Sequence, residues 1–176
     1  MFGNLKRKPE PVGPFEFGHC VMIEKPADEV YALLDWADPR NAKRALGNKV
    51  EPVGAAPGRF RMTLDLVPGH LFEMIVTEAV PGSTYAFENE ITPPPGKLVS
   101  SHETYTIEPL GESSCVLNLL VSANFADGMA DDALAMEVMM MTVACGNALG
   151  KLKIQAEQGV EAVHAIEAMQ MDCGED

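Results

Sequence analysis

The sequence predicts one α+β domain, built as an antiparallel meander of six or seven strands followed by one long C-terminal helix, with two short helices inserted after the first strand. Three observations predict it. At 176 residues, 47% of them apolar, the chain is long enough for one core and short for two. Segments of alternating apolar and polar residues recur between Asn48 and Phe125, separated by Pro and Gly signals at hairpin spacing. Beyond Asp127 the apolar period lengthens from two to between three and four and stays there.

The opening MFGNLKRKPEPVGP has a basic cluster that runs into prolines and not into an apolar stretch, which is not the pattern of a signal peptide. Residues 1–14 are expected to form a mobile arm. Phe15 to Glu24 alternates, with Phe15, Phe17, His19, Val21 and Ile23 on one strand face, and Lys25-Pro26 ends it. From Pro26 to Trp36 a leading proline, Asp28 and Glu29 in the first turn, and Val30, Leu33 and Leu34 at helical spacing predict a short helix. Asp38-Pro39 begins a second short helix that Gly47 stops.

Lys49 to Val53 is a weak strand, whereas Arg59 to Val67 sets Phe60, Met62, Leu64 and Leu66 against Arg59, Arg61, Thr63 and Asp65. Pro68-Gly69 turns the chain into His70 to Ala79, which carries Phe72, Met74 and Val76 on one face. Pro81-Gly82-Ser83 leads to Thr84 to Ile91, the run Pro93 to Gly96 leads to Lys97 to Glu108, and Gly111 leads to Cys115 to Phe125. The long helix begins near Asp127 and runs at least to Ala156 and as far as Ile166, with Asp131 and Asp132 early and Lys151 and Lys153 late, as the macrodipole prefers. Residues 15–166 thus read as a single domain, and 167–176 as a disordered acidic tail.

The formal charge is −13, and between Met62 and Gly150 the one basic residue is Lys97. Such a field repels phosphate backbones and anionic headgroups, so nucleic acid is not an expected partner. Cys20, Cys115, Cys145 and Cys173 are scattered without a C-x-x-C pair, which fits a reduced cytoplasm. Ala133 to Gly150 approaches the minimum length of a bilayer span, but Glu137 and Asn147 lie inside it, and no membrane span is expected.

Two apolar stripes run along the long helix. Leu134, Val138, Met141, Cys145, Leu149 and Leu152 recur at steps of three or four. Met136, Met139, Met140 and Val143 form a second stripe, on a side where a helix packed on one sheet is ordinarily wet. The expectation is a homodimer through this Met-rich face; the alternative is a sheet that wraps more of the helix.

Three phrases, IEKPADEVYALLDW (Ile23 to Trp36), YTIEPLGESSCVLNLLV (Tyr105 to Val121) and GNALGKLKIQAEQ (Gly146 to Gln158), resemble the START-like superfamily, also called SRPBCC, across about residues 15 to 160. The resemblance implies the helix-grip fold, a curved antiparallel sheet wrapped around the long helix with an apolar cavity between them. It also implies a function among those of the superfamily: binding lipids, sterols or polyketides, cyclising aromatic polyketides, or acting as a carrier or co-chaperone. Fold alone does not choose among these.

On such a frame the ligand-facing candidates are Met62, Phe72 and Met74 from the strands and Val138, Met141 and Cys145 from the helix. For any one of them plain core packing is the more ordinary explanation. The polar candidates are His19, on the apolar face of the first strand, then Asn89, His102 and Tyr105. In SSHETYT, Ser, His and Thr alternate against Ser, Glu and Tyr, so either row can face inward. No histidine pair stands at i, i+4 and no Gly-rich phosphate loop follows a strand, so neither metal nor cofactor is expected, and no catalytic residue is assigned. The function expected is binding or carrying a small, neutral hydrophobic ligand. The alternatives are a polyketide cyclase or dehydrase-like enzyme using His19, Tyr105 or His102 as acid or base, and a protein-interaction or co-chaperone-like module.

Overall fold

In the computed structural model, which describes residues 11–64, 68–94 and 96–172, the strands are β1 (Val12–Ile23), β2 (Lys49–Pro52), β3 (Arg59–Thr63), β4 (Leu71–Val80), β5 (Thr84–Thr92), β6 (Leu98–Pro109) and β7 (Cys115–Phe125). They form a single antiparallel sheet in the order β1-β7-β6-β5-β4-β3-β2. Five successive strands are thus joined as a meander from β2 to β6, and β7 closes it by pairing with both β6 and β1. Helices α1 (Ala27–Leu34) and α2 (Ala42–Ala45) follow β1, and α3 (Asp131–Gln158) and α4 (Val160–Asp172) end the chain.

The alternation in each strand decides what faces α3. Phe60, Met62, Met74, Tyr85, Phe87, Ile107, Leu117, Leu119 and Val121 are buried on the inner face together with Ile23. On the outer face Arg61 pairs with Glu73 at 2.7 Å, as strand neighbours in register, an exposed pair worth a fraction of a kcal/mol, about 0.2–1.

Helix α3 lies across the sheet and is tied to β1 by polar bonds. His19 Nε2 donates to the Thr142 carbonyl at 2.8 Å, and Lys153 Nζ donates to the Met22 carbonyl at 2.7 Å. The inner stripe of α3 packs as its periodicity requires, with Leu149 buried and Met141, Cys145 and Leu152 against the core. By length and mean hydropathy (1.4 over its most apolar 18 residues) α3 is also long and apolar enough to cross a membrane. Only 6% of that window is buried, and the residues of α3 that meet the core are those of its inner stripe.

Three boundaries differ from the sequence reading. Strand β1 begins at Val12, not Phe15, because Val12 pairs with Phe125 ahead of an irregularity at Gly13-Pro14, so residues 12–14 belong to the sheet and not to an arm. Residues 1–10 lie outside the described residues. The long helix is two: Gly159, at φ +89°, stands in the left-handed region that glycine tolerates, and α4 restarts at Val160. Helix α4 reaches Asp172, so residues 167–172 are helical and not a disordered tail; Val163 is fully buried and Glu167 pairs with Lys151 at 2.8 Å, which anchors this helix. Residues 173–176 lie outside the described residues.

Helix α2 is also shorter than its sequence signals suggest. Asn41, not Asp38, caps it: the Asn41 Oδ1 accepts from Lys43 N–H and Arg44 N–H, while Nδ2 donates to the Leu33 and Leu34 carbonyls at the end of α1. Asp38 is occupied by Arg40 instead, which holds its carboxyl below the usual range through hydrogen bonds and charge.

Candidate ligand-binding cavity

Between the inner sheet face and α3 lies a cavity of about 570 Å³. That is ample for a drug-sized ligand, for which pockets run from roughly 300 to 1,000 Å³. Its walls are largely apolar: Met62 and Leu64 from β3 and the residue after it, Phe72 and Met74 from β4, Phe87 from β5, Leu119 from β7, and Met141, Ala144 and Ala148 from α3. An aromatic wall runs along one side. Trp36 meets Phe87 edge-on with centroids 5.4 Å apart, and Phe87 stacks on Tyr105 at 6.2 Å and 19°. Met140 lines the cavity yet is 62% exposed, so α3 forms part of the rim; Glu137, whose carboxylate sits against Gly96, is beside it.

Strand β6 brings the chemistry. Tyr105 and Ser101 face inward, so period two carries Glu103 inward between them. Tyr105 Oη donates to Glu103 Oε2 at 2.9 Å. Opposite, Lys43 reaches the cavity from α2, which the Asn41 cap, the Arg44 bonds to the Trp36 and Val50 carbonyls, and the buried Gln155, donating to the Ala42 carbonyl, hold in place.

The environment drives these groups toward neutrality. Desolvation raises Glu103 above the carboxylate range, against the Tyr105 hydrogen bond and the Lys43 charge that favour its ionised form. Desolvation lowers Lys43, with Lys151 adding to the effect and Glu103 and Glu167 opposing it. Among the described residues no carboxylate lies within 4 Å of Lys43 Nζ. Burial, then the Glu103 charge, raises Tyr105 well above its ordinary value and pushes the Cys145 thiol up to about 12, which makes that thiol inert as a nucleophile.

Three further polar atoms in buried positions have no protein partner: Trp36 Nε1, Asn89 Oδ1 and Ser101 Oγ. All three residues line the cavity. An unpaired buried polar group costs about 1–3 kcal/mol, so each is a place where a ligand or water regains a hydrogen bond.

Seven of the ten residues singled out in the sequence meet here: Met62, Phe72, Met74, Asn89, Tyr105, Met141 and Cys145. Three do not. His102 stands on the opposite sheet face, bonded to Thr77 Oγ1 at 3.0 Å beside a separate hollow of about 450 Å³; its parity is opposite to that of Tyr105, so the two cannot share a face. His19 is engaged by the Thr142 carbonyl and packs against Gly146, fastening α3 to β1. Val138 lies one turn before Thr142, whose hydroxyl donates to its carbonyl, and its side chain is not part of the cavity wall. Tyr85 is a buried strut: its hydroxyl accepts from Trp36 N–H and donates to Asp35.

Sequence reasoning missed Glu103, Lys43, Ser101 and Trp36. For Glu103 and Ser101 a signal existed, since placing Tyr105 inward places both inward. For Lys43 there was none, because a four-residue helix has no readable face.

No protein-family model and no curated protein sequence matches the chain. Solved structures do match its fold. The di-domain aromatase/cyclase BexL from the BE-7585A biosynthetic pathway aligns over 79% of this chain and 45% of its own length, at 22% identity and a TM-score of 0.65. The Zhui aromatase/cyclase from Streptomyces sp. R1128 aligns over 83% and 98%, at 18% and 0.57. Norcoclaurine synthase from Thalictrum flavum, solved with dopamine and hydroxybenzaldehyde, aligns over 87% and 91%, at 15% and 0.58. The chain spans about half the length of BexL and of DynU16, a protein of the dynemicin biosynthetic locus. The fold is therefore the one these solved structures share, a helix-grip fold in which a curved seven-stranded sheet is closed by a long helix.

Proposed function

We propose that the protein binds a small, predominantly apolar, neutral molecule, of aromatic or polycyclic shape, that presents a carbonyl or hydroxyl to the polar groups of β5 and β6. The observation that carries this is the 570 Å³ cavity with three orphaned polar atoms, Trp36 Nε1, Asn89 Oδ1 and Ser101 Oγ, set in apolar walls. One donor, one acceptor and one hydroxyl, which does both, match a carbonyl or a phenol and offer no counter-charge to an ionic ligand. The neighbouring folds, drawn from proteins described as aromatase/cyclases and as norcoclaurine synthase, are consistent with aromatic ligands. The site works in the cytoplasm on this reading, where the free thiols of Cys20, Cys115 and Cys145 stay reduced.

A thermal-shift screen of aromatic ketones, phenols and fatty alcohols, with native mass spectrometry of the purified protein, tests it. Ligands of this class raise Tm by mass action, and Ala144→Phe, which fills the cavity, abolishes the rise. No retained molecule and no shift with any of them would falsify the proposal.

One observation favours a second reading, an enzyme of cyclase or dehydrase type. Glu103 and Tyr105 form a hydrogen-bonded acid–base pair inside an apolar cavity, where proton transfer to an enolisable carbonyl needs only correct placement. On that reading Glu103→Gln stops turnover of such a ketone and leaves its thermal shift intact. On this reading the acid–base work falls to Glu103 and Tyr105, since His19 and His102 do not line the cavity. The second apolar face of α3 is taken to be covered by the same face of a second copy.

A further inference from the structure

Among the described residues Lys43 is the one lysine whose side chain enters the cavity, and the binding reading above does not use it. Its surroundings are those of an amine meant to react, not to pair. It emerges from a helix fastened at its start by Asn41 and from below by Gln155, so its backbone does not move with its ligand. Among the described residues it has no carboxylate within 4 Å, while Glu103 and Tyr105 share the same cavity. A lysine placed to bind an anionic ligand would be expected among further donors, yet the other charged residues lining the cavity are Glu103 and Glu137. Two acids beside one lysine disfavour a carboxylate or phosphate guest.

We propose that Lys43 forms a covalent imine with an apolar aldehyde or ketone held in the cavity. This rests on the cavity being a binding site for neutral carbonyl compounds, and goes beyond it in naming a bond. The neutral Lys43 amine attacks the carbonyl carbon. The new N–C bond forms as the C=O π electrons move to oxygen, and the proton lost by nitrogen is taken up by that oxygen to give a carbinolamine. The protonated Glu103 carboxyl then donates its proton to the carbinolamine hydroxyl, which leaves as water while the nitrogen lone pair closes the C=N bond. The Glu103 carboxylate takes the remaining N–H proton, or stands as counter-ion to the iminium. No oxidant or reductant is consumed, and one water is released per bond.

Burial, which lowers the Lys43 pKa, enlarges the share of neutral and therefore nucleophilic amine. The groups that face Lys43 electrostatically are Glu103 from β6, Lys151 from α3 and Glu167 from α4, and the Lys151–Glu167 pair at 2.8 Å leaves Glu103 as the proton donor on the cavity side.

The test uses the full chain with 2-naphthaldehyde as probe and borohydride as the trap, which converts an imine to a stable secondary amine. Mass spectrometry of the digest is expected to place one naphthylmethyl group on the peptide containing Lys43. Lys43→Met is expected to lose that label and to keep the thermal shift with 2-naphthalenemethanol, which cannot form an imine. Lys151→Met is expected to keep the label. Glu103→Gln retains the amine, so it is expected to slow trapping without changing where the label goes. Label spread over surface lysines, or undiminished in Lys43→Met, overturns the covalent role while binding of the alcohol leaves the binding reading standing. Failure of both aldehyde and alcohol to bind overturns both. Tighter binding of 2-naphthoic acid than of the alcohol, lost in Lys43→Met, would show Lys43 to be an anion anchor and also overturn the imine.

Discussion

At the scale of single residues, the molecule keeps two kinds of polar group inside, and they behave differently when removed. His19 is fully engaged by the Thr142 carbonyl and by its contact with Gly146. A Cβ built at Gly146 would stand 3.0 Å from the His19 ring, closer than the ring can accept without shifting. Alanine at a helix-interior glycine ordinarily gains about 1 kcal/mol, so Gly146→Ala is expected to destabilise the wild type and to stabilise a His19→Ala background. Denaturant unfolding of the four variants reads that change of sign as a coupling energy; additive effects would place the His19 ring elsewhere. Glu103 is the opposite case, a carboxyl held for chemistry at a cost to folding. Its folded-state pKa is raised, so stability is fully present below the ordinary carboxylate range and is lost as pH rises through the raised value. Glu103→Gln is therefore expected to raise Tm at pH 7 and to leave it unchanged near pH 4, and an equal rise at both would contradict the burial of that charge.

At the scale of elements, the strands and the two short helices after β1 were legible as elements, but which residues of α2 face the site was not, for a reason that is physical. A strand of nine to twelve residues repeats its alternation four to six times, so β4, β5, β6 and β7 could be read from which residues are apolar, as could the five-residue β3 more briefly, and Met62, Phe72 and Met74 fell into the cavity wall accordingly. Parity is also unforgiving: His102 and Tyr105 differ by an odd number of residues, and only one of them could line the site. Helix α2 has four residues and no periodicity to read, yet it carries Lys43. What fixes α2 is tertiary: the side chain of Asn41, 1% exposed, spends its acceptor on the helix start and its donors on the end of α1. Asn41→Ala is expected to destabilise by roughly 2–4 kcal/mol, since it removes a cap and leaves two buried carbonyls unpaired. It is also expected to weaken trapping of 2-naphthaldehyde at Lys43, which Asn41→Asp, able to cap the helix but not to donate to the carbonyls, restores in part. Chemical denaturation and the labelling assay separate the two effects.

At the scale of the whole molecule, charge and apolar surface oppose each other. The chain carries −13, and the exposed side of α3 presents Met136, Met139 and Val143 at 52, 53 and 55% exposure beside Met140 at the cavity rim. Apolar faces of this kind favour association, and a two-fold pairing of this face with the same face of a second copy would cover it. Net charge acts the other way, since two chains of −13 repel each other over a Debye length of about 8 Å at physiological ionic strength. A dimer held by the apolar face against that repulsion has a definite signature: it tightens as salt is added, whereas a dimer held by ion pairs loosens. Light scattering across a salt series is expected to show the 19.0 kDa chain moving toward twice its mass as salt rises. Met136→Glu with Val143→Glu, which adds charge to the face while leaving the cavity wall untouched, is expected to hold it at one. A monomer at micromolar concentration at every salt level would mean that this face of α3 is left bare.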